Sequence, residues 1–424
     1  MFKAADLFKW KGIEKVYSLP WLKEHLQFST DPAQIKEFVK GCPFTRSRLS
    51  INMLRLFHLS NHSIVVSDDE HAKLLRKQFL RCMPDSTQFP EIAKKVIDDV
   101  LIDYTQNETK EPRKLSSVVM REVYRSLLLN LLGAEILKPL EQYINKTTFP
   151  PPTRLLYVDG LMYAFGLRTP ALFPIRDLIE MFYFKGHRHM RKVARQLEDL
   201  VFNYSIPKSG SWFSTLLELK ASGELSSAQF RGEIKSILVS AYSLSSAIVS
   251  TLLCLAARPK YIEKIRENPA FAHFFVEEVL RLYPPFRQFG YEQKGIWDKK
   301  QFSKRKTTNF FILTYGLHRN PRFWPKPNEF YPERFLKPST GKSCTFLPFG
   351  VGHRDCIGRT YSMNMLIALL QYACSEECGL ELLLPDDFIA DSRGMPIGLI
   401  GRLVSFPVDD RIYLSRSKSP HRVG

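Results

Sequence analysis

Residues Phe346 to Leu366 read FLPFGVGHRDCIGRTYSMNML. Cys356 follows a loop with glycines at 350 and 352, is followed by Gly358, and then gives way to an apolar helical pattern. Each part has a physical use. Glycine permits positive φ and lets backbone approach a flat ligand closely. A helix N-terminus with its free N–H groups stabilises a thiolate. Arg354 offers a fixed cation for an anionic group. A lone cysteine is more often an inert buried thiol, so the spacing of its neighbours carries the weight.

Phe349, Gly352, Arg354, Cys356 and Gly358 reproduce the pattern F-x-x-G-x-R-x-C-x-G, which resembles the haem-ligand loop of the cytochrome P450 family. The resemblance implies that Cys356 is the proximal thiolate ligand of haem b iron, with Phe349 near the sulfur, Arg354 on a haem propionate and Gly350 in the same cradle. Two further motifs follow the family's order. EEVLRLYPP holds Glu278 and Arg281 in an E-x-x-R pair, and NPRFWPKPNEFYPERF carries Arg334 in a P-E-R-F block. In the family these three residues form a buried proximal triad; read alone, Glu278 and Arg281 would be an ordinary helical ion pair. The resemblance runs, more weakly, from about residue 20 to the C-terminus.

Working outward, residues 236–257 read SILVSAYSLSSAIVSTLLCLAA, with no charge. About 20 such residues could cross a bilayer, but the serines at 236, 240, 243, 245, 246 and 250 favour a buried helix. By resemblance it is the long helix over the distal face of the haem, where dioxygen and substrate sit. The family motif there is A-G-x-D/E-T, whose acid and alcohol bring protons to bound oxygen. Here one register puts Ser240 and Ala241 in place of Ala and Gly, Ser243 at the acid and Leu244 at the alcohol. Shifting by one puts Leu244 at the acid and Ser245 at the alcohol. Neither supplies a carboxylate, because the nearest acids are Glu233 and Glu263. Ser243 and Ser245 are therefore the candidate proton relays, with helix packing by small residues as the alternative reading.

Other haem contacts depart from the common pattern. DDEHAKLLRKQF offers His71 and Arg76 as propionate ligands, one residue further apart than H-x-x-x-R. Tyr291 stands where the family often has a propionate-binding Arg. Arg287 could replace it or face the pocket. Ala241 is expected against the haem. Leu244, Phe286, Phe289, Ile397 and Leu399 are expected to frame the substrate.

Composition sets the remaining bounds. Hydrophobic residues at 44% and 31 Phe in 424 residues describe a globular protein. Seven widely spread Cys are not a disulfide framework, and Cys374 with Cys378 lacks the further ligands of a metal site. The N-terminal stretch has neither an apolar h-region nor a cleavage site, so a cytoplasmic protein without an integral membrane anchor is expected. The net charge of +18 is dispersed. Its runs lack the aromatic interleaving of a nucleic-acid module, which points instead to a solvated surface or an acidic redox partner.

Helical periodicity dominates the middle of the chain, including Gly232 to Ala257. Strand-like segments lie near the ends, at 62–67, 307–315 and in the C-terminal GLELLLP and FPVDDRIYLS. One domain over 1–424 is expected, mainly α with small peripheral β-sheets, in the cytochrome P450 fold. The implied activity is a soluble, bacterial-type monooxygenase, of the kind used in secondary metabolism. It would insert one atom of O2 into a small apolar molecule with electrons from NAD(P)H, through ferredoxin and its reductase or a flavoprotein. The missing distal acid keeps a peroxide-driven or oxygen-rearranging enzyme open as a rival; a second rival of another class, a haem-binding or partner-recruiting protein without catalysis, is opposed by the intact Cys356.

Overall fold

The computed structural model describes residues 15–19, 24–41, 45–46, 63–65, 70–81, 85–106, 111–132, 199, 212–294, 307–336, 344–396 and 404–416. Among these, the helices in chain order are α1 Pro32–Gly41, α2 Glu70–Arg81, α3 Phe89–Gln106, α4 Leu115–Leu132, α5 Trp212–Ala221, α6 Ser227–Ala257, α7 Lys260–Glu267, α8 Phe271–Leu282, α9 Thr314–Leu317 and α10 Arg359–Cys374. The strands are β1 Lys15–Leu19, β2 Glu24–Ser29, β3 Thr45–Arg46, β4 Arg113–Lys114, β5 Phe289–Lys294, β6 Thr307–Ile312, β7 Leu380–Leu383 and β8 Arg411–Arg416.

The helices share one apolar core, in which α6 lies along α4 and α10 along α3. The central helix starts five residues before the expected Gly232. Ser226 and Gln229 form a reciprocal capping box, with the Ser226 amide donating to Gln229 Oε1 at 2.8 Å and the Gln229 amide to Ser226 Oγ at 3.3 Å. That S-x-x-Q pattern satisfies two otherwise orphaned donors and sets the start. At the other end Pro259 follows the cap residue Arg258. The most apolar 18-residue window of α6 is 88% buried within the protein, so its length serves the core.

Two sheets flank the helices. The larger has the order β1-β2-β6-β5-β3 and is antiparallel except for the β2–β6 pair, which runs parallel from Glu24↔Thr307 to Ser29↔Ile312. Helix α1 covers it through Phe38, whose ring stacks on Phe310 at 4.4 Å in a second small core with Ile35, Tyr291, Ile312, Leu317 and Leu347. The smaller sheet has the order β4-β8-β7. Strands β1, β2 and β5 add to the strand-like segments read from the sequence, whereas 307–315 resolves into β6 and then, after Leu313, the short α9. The expected strand at 62–67 is corrected: its described part, 63–65, is a turn, with the Val65 amide on Ser63 Oγ at 3.2 Å. A side chain closing on the backbone two residues away is turn chemistry that competes with a sheet ladder. The expected helical segment 186–205 lies outside the described residues apart from Asp199.

Candidate active site

The ligand loop is built by its own backbone. The Cys356 amide donates to Phe349 O at 2.8 Å and the Gly350 amide to Leu347 O at 3.2 Å, and a 3-10 turn spans Gly352–Arg354. Gly350 and Gly352 both have positive φ, +77° and +69°. At Gly350 the need for glycine is double, because a Cβ there would sit 3.1 Å from the Tyr291 hydroxyl. Gly358 is the N-cap of α10, which puts Cys356 directly before the N-terminal end of a 16-residue helix. The positive end of the dipole and its free N–H groups favour a thiolate there. Cys356 is exposed, is in no disulfide and lines a cavity of about 210 Å³.

Behind the loop stands the expected triad. Arg281 donates from Nε to Glu278 Oε2 at 2.7 Å and from Nη2 to Oε1 at 2.8 Å, and both side chains are fully buried. Arg334 Nε lies 3.2 Å from the same carboxylate, and the Tyr331 amide donates to it at 2.8 Å. Arg281 also serves the carbonyls of His318, Pro327 and Glu329 at 2.8, 2.6 and 3.1 Å. His318 carries the connection onward, its Nε2 accepting the Leu347 amide at 2.8 Å at the start of the ligand loop. Burial and the Arg281 cation push the His318 imidazole down to about 3, so it stays neutral and able to accept that bond.

One face of α6 lines the same cavity. Glu233, Ser236, Val239, Ser240, Ser243, Leu244 and Ala247 line it, at the three- and four-residue spacing of a helical stripe. Phe286, Gln288, Phe289 and Gly290 close one side, while Ile64, Val65, Phe79, Leu127 and Trp212 close another.

Of the residues singled out from sequence, the structure thus brings Cys356, Phe349, Arg354, Gly358, Arg76, Ser243, Leu244, Phe286 and Phe289 to one cavity. It does not bring Ser245, Ala241 or Arg287. Ser245 and Ala241 are each two residues, about 200° around the helix, from Ser243. Both are fully buried away from the cavity, and the Ser245 hydroxyl donates to Ala241 O at 2.7 Å. Arg287 falls at a bend before β5, between Phe286 and Gln288, and unlike them is not among the residues that line the cavity. Arg76 is at the cavity but bound elsewhere: its Nη1 and Nη2 donate to Asp355 O and Oδ1 at 2.9 and 2.7 Å. Tyr291 is packed in the sheet core, 1% exposed. His71 is in α2, and its side chain, like all of Ile397 and Leu399, lies outside the described residues.

Ser240, Ser243 and Leu244, which the first sequence register puts in place of the Ala, the acid and the alcohol of the distal motif, all line the cavity, whereas Ser245, the alcohol of the shifted register, does not. Tyr242 is 2% exposed, turned away from the cavity towards Phe406 at 5.4 Å, and burial raises its phenol. Glu233, Ser236, Trp212 and Gln288 were not singled out from sequence. The signal for the first two was present in their 3-and-4 spacing to Ser240 and Ser243; Trp212 and Gln288 had none.

The donor set fits a haem. An accessible cysteine sulfur sits at a helix N-terminus, glycines leave the loop without side chains on its inner face, and a buried arginine stands two residues from the sulfur. That is the chemistry of a thiolate-ligated, carboxylate-bearing macrocycle. Comparison with known proteins agrees. The cytochrome P450 family model matches residues 9–372. Taurochenodeoxycholic 6 alpha-hydroxylase of Sus scrofa is 29% identical over 208 residues, 42% of this chain and 41% of that protein. Cytochrome P450 3A15 of Cavia porcellus is 26% identical over 405 residues, covering 82% of this chain and 77% of that one. The chain thus spans less than half of the first of these relatives. A solved six-coordinated cytochrome P450 from Thermus thermophilus superposes with a TM-score of 0.62 at 17% identity, over 91% of both chains. Motif, loop geometry, triad and fold converge, and the chain belongs to the cytochrome P450 family.

Proposed function

We propose that this protein is a haem-thiolate monooxygenase that inserts one oxygen atom from O2 into a largely apolar small molecule. Its electrons would come from NAD(P)H through a redox partner. The observation that carries the reading is that Cys356 and the α6 stripe line one and the same mostly apolar cavity. Haem held there by Cys356 would supply dioxygen activation and single-atom transfer, to which a thiolate ligand would lend electron density.

The chain's own residues do the rest. Arg354 is suited to neutralise a propionate. Arg76, fixed on Asp355, positions the ligand loop rather than meeting a propionate itself. Leu244, Phe286, Phe289, Val239 and Ala247 exclude water and hold an apolar guest. The Ser243 hydroxyl donates to Ser240 O at 3.0 Å and keeps its lone pairs for a proton brought by cavity water. The relatives named above are mammalian and the structural neighbour bacterial, so both donor classes, flavoprotein and ferredoxin with reductase, belong in the test.

One observation favours a second reading. Ser243 and Leu244 line the cavity where the usual acid and alcohol would stand, and α6 carries no carboxylate beside them. Proton delivery after reduction is thereby weakened, which suits a peroxide-driven or oxygen-rearranging enzyme. The deciding experiment sets turnover with NAD(P)H and each donor against turnover with hydrogen peroxide alone. Faster turnover with reductant supports monooxygenation, and turnover with peroxide only supports the second reading. A protein that binds no haem, or whose optical spectrum is unchanged in Cys356→Ala, overturns both.

A further inference from the structure

Asp355 is an unexpected neighbour for Cys356. A carboxylate on the residue next to a thiolate sets two negative charges side by side, which disfavours the charged form of each. The chain answers it with two cations. From α2, 279 residues earlier, Arg76 donates from Nη1 to Asp355 O at 2.9 Å and from Nη2 to Asp355 Oδ1 at 2.7 Å. From the start of α10, Arg359 Nη2 lies 3.6 Å from the other carboxylate oxygen, and its guanidinium stands 5.7 Å from the centre of the Phe349 ring. Phe349 in turn holds the Cys356 amide through its carbonyl. The two cations differ in grip. Arg76 makes a fork of two hydrogen bonds and is 27% exposed, whereas Arg359 makes an ion pair beyond hydrogen-bond distance and is 50% exposed. Arg76 is therefore the principal counter-charge of Asp355, and water screens it less.

A fixed charge beside a ligand sulfur acts on the electrons that the sulfur shares with its metal. An uncompensated negative charge there favours the oxidised metal and strengthens donation from the thiolate; an uncompensated positive charge does the reverse. We propose that Arg76 is a positioning residue that balances charge on the sulfur side of the haem. By gripping Asp355 it cancels the carboxylate beside Cys356, and so sets how readily the iron accepts an electron. The inference deepens the haem-thiolate reading and rests on it, and it gives Arg76 a task other than holding a propionate. Because Arg76 and Asp355 are both partly exposed, their charges act through a dielectric well above that of a dry interior. Removing either one should therefore change the reduction equilibrium by about three- to tenfold.

The test uses the haem-loaded protein and reads two quantities, the ferric/ferrous reduction potential and the iron–sulfur stretch in resonance Raman. Arg76→Met leaves Asp355 with Arg359 alone. It should move the equilibrium about three- to tenfold towards the ferric state, ~28–59 mV for one electron, and stiffen the stretch. Asp355→Asn keeps an oxygen for Arg76 to donate to, and should move both quantities the other way by a similar factor. The double variant should return to within about twofold of the unmodified protein, and Arg76→Lys, which keeps the charge, should stay within the same limit. The propionate-bending bands should be the same in all of them. A merely structural role for the pair predicts a change in one direction for both single variants. A propionate-holding role predicts that Arg76→Met moves the propionate bands and leaves the iron–sulfur stretch in place. Either result, or no shift in either single variant, overturns the proposal. Asp355→Asn is nearly isosteric and decides the matter even if Arg76→Met does not fold, since no shift, or a shift towards the ferric state, is enough to overturn it. Failure of the haem-thiolate reading is seen separately, as an unmodified protein whose spectrum lacks a thiolate-ligated haem.

Discussion

Replacing Arg281 with Met should be among the most damaging single changes on the proximal side. The guanidinium makes five hydrogen bonds, two to Glu278 and one each to the carbonyls of His318, Pro327 and Glu329, from a fully buried side chain. Removing one partner of a buried ion pair costs about 3–5 kcal/mol, because the other charge is left uncompensated. Here Arg334 still faces Glu278 at 3.2 Å, which puts that part at the low end. Three carbonyls also lose a donor, at about 1 kcal/mol or more each. The sum, about 5 kcal/mol or more, is comparable to the whole stability of many domains, about 5–15 kcal/mol. Swapping both Glu278 and Arg281 for apolar residues should not rescue the protein, since the carbonyls remain. Arg281→Lys keeps the charge but cannot fork to three carbonyls, and should lose roughly half as much. Urea unfolding followed by haem absorbance and by tryptophan fluorescence measures this, with Trp324 a local reporter at 5.3 Å from the guanidinium. If Arg281→Met unfolds within about 1 kcal/mol of the unmodified protein and keeps its haem, the account of the proximal scaffold is wrong.

Three further outcomes are expected. Gly350→Ala should destabilise the loop by about 1–2 kcal/mol for its left-handed backbone alone, and adding Tyr291→Phe should recover only the share due to the 3.1 Å approach, as read by urea midpoint and haem dissociation rate. His318 has a folded value depressed to about 3 from the usual 6.5, so its share of stability is complete above pH 6.5 and is lost as pH falls towards 3. The slope is at most about 1.4 kcal/mol per pH unit, and the same urea series in His318→Gln should show that portion of the profile flattened. Ser243→Ala should slow O2-dependent turnover about tenfold or more and leave peroxide-driven turnover nearly unchanged, whereas Ser245→Ala, off the cavity, should change neither by more than about twofold; equal effects of the two would refute the assigned register.

What the sequence made legible follows from where the chemistry is local. The ligand loop, the E-x-x-R pair and Arg334 are short patterns whose spacing is their geometry, and each stands where the spacing put it. The rotational phase of α6 was only half legible, because Glu233, Ser236, Ser240 and Ser243 share one stripe but Ser245, Ser246 and Ser250 offer competing ones. Only the three-dimensional packing shows that Ser243 faces in and Ser245 out. Arg76 was legible as a cation near the haem, but not its grip on Asp355, which depends on a partner 279 residues away. Strand β2 was hidden because it owes its place to pairing with β6, from Glu24 to Thr307, and β1 because it is held only by β2.

The short turn at 63–65 gives the site a history as well as a shape. Ile64 donates to Glu233, 169 residues later, and Val65 accepts from Arg354, 289 residues later. Closure over such spans is entropically costly and slow. A chain emerging from the ribosome displays the oily walls of the future cavity long before Cys356 exists to receive iron. Cofactor capture is therefore a late event, and a cell short of porphyrin would accumulate sticky, half-assembled chains dependent on chaperones.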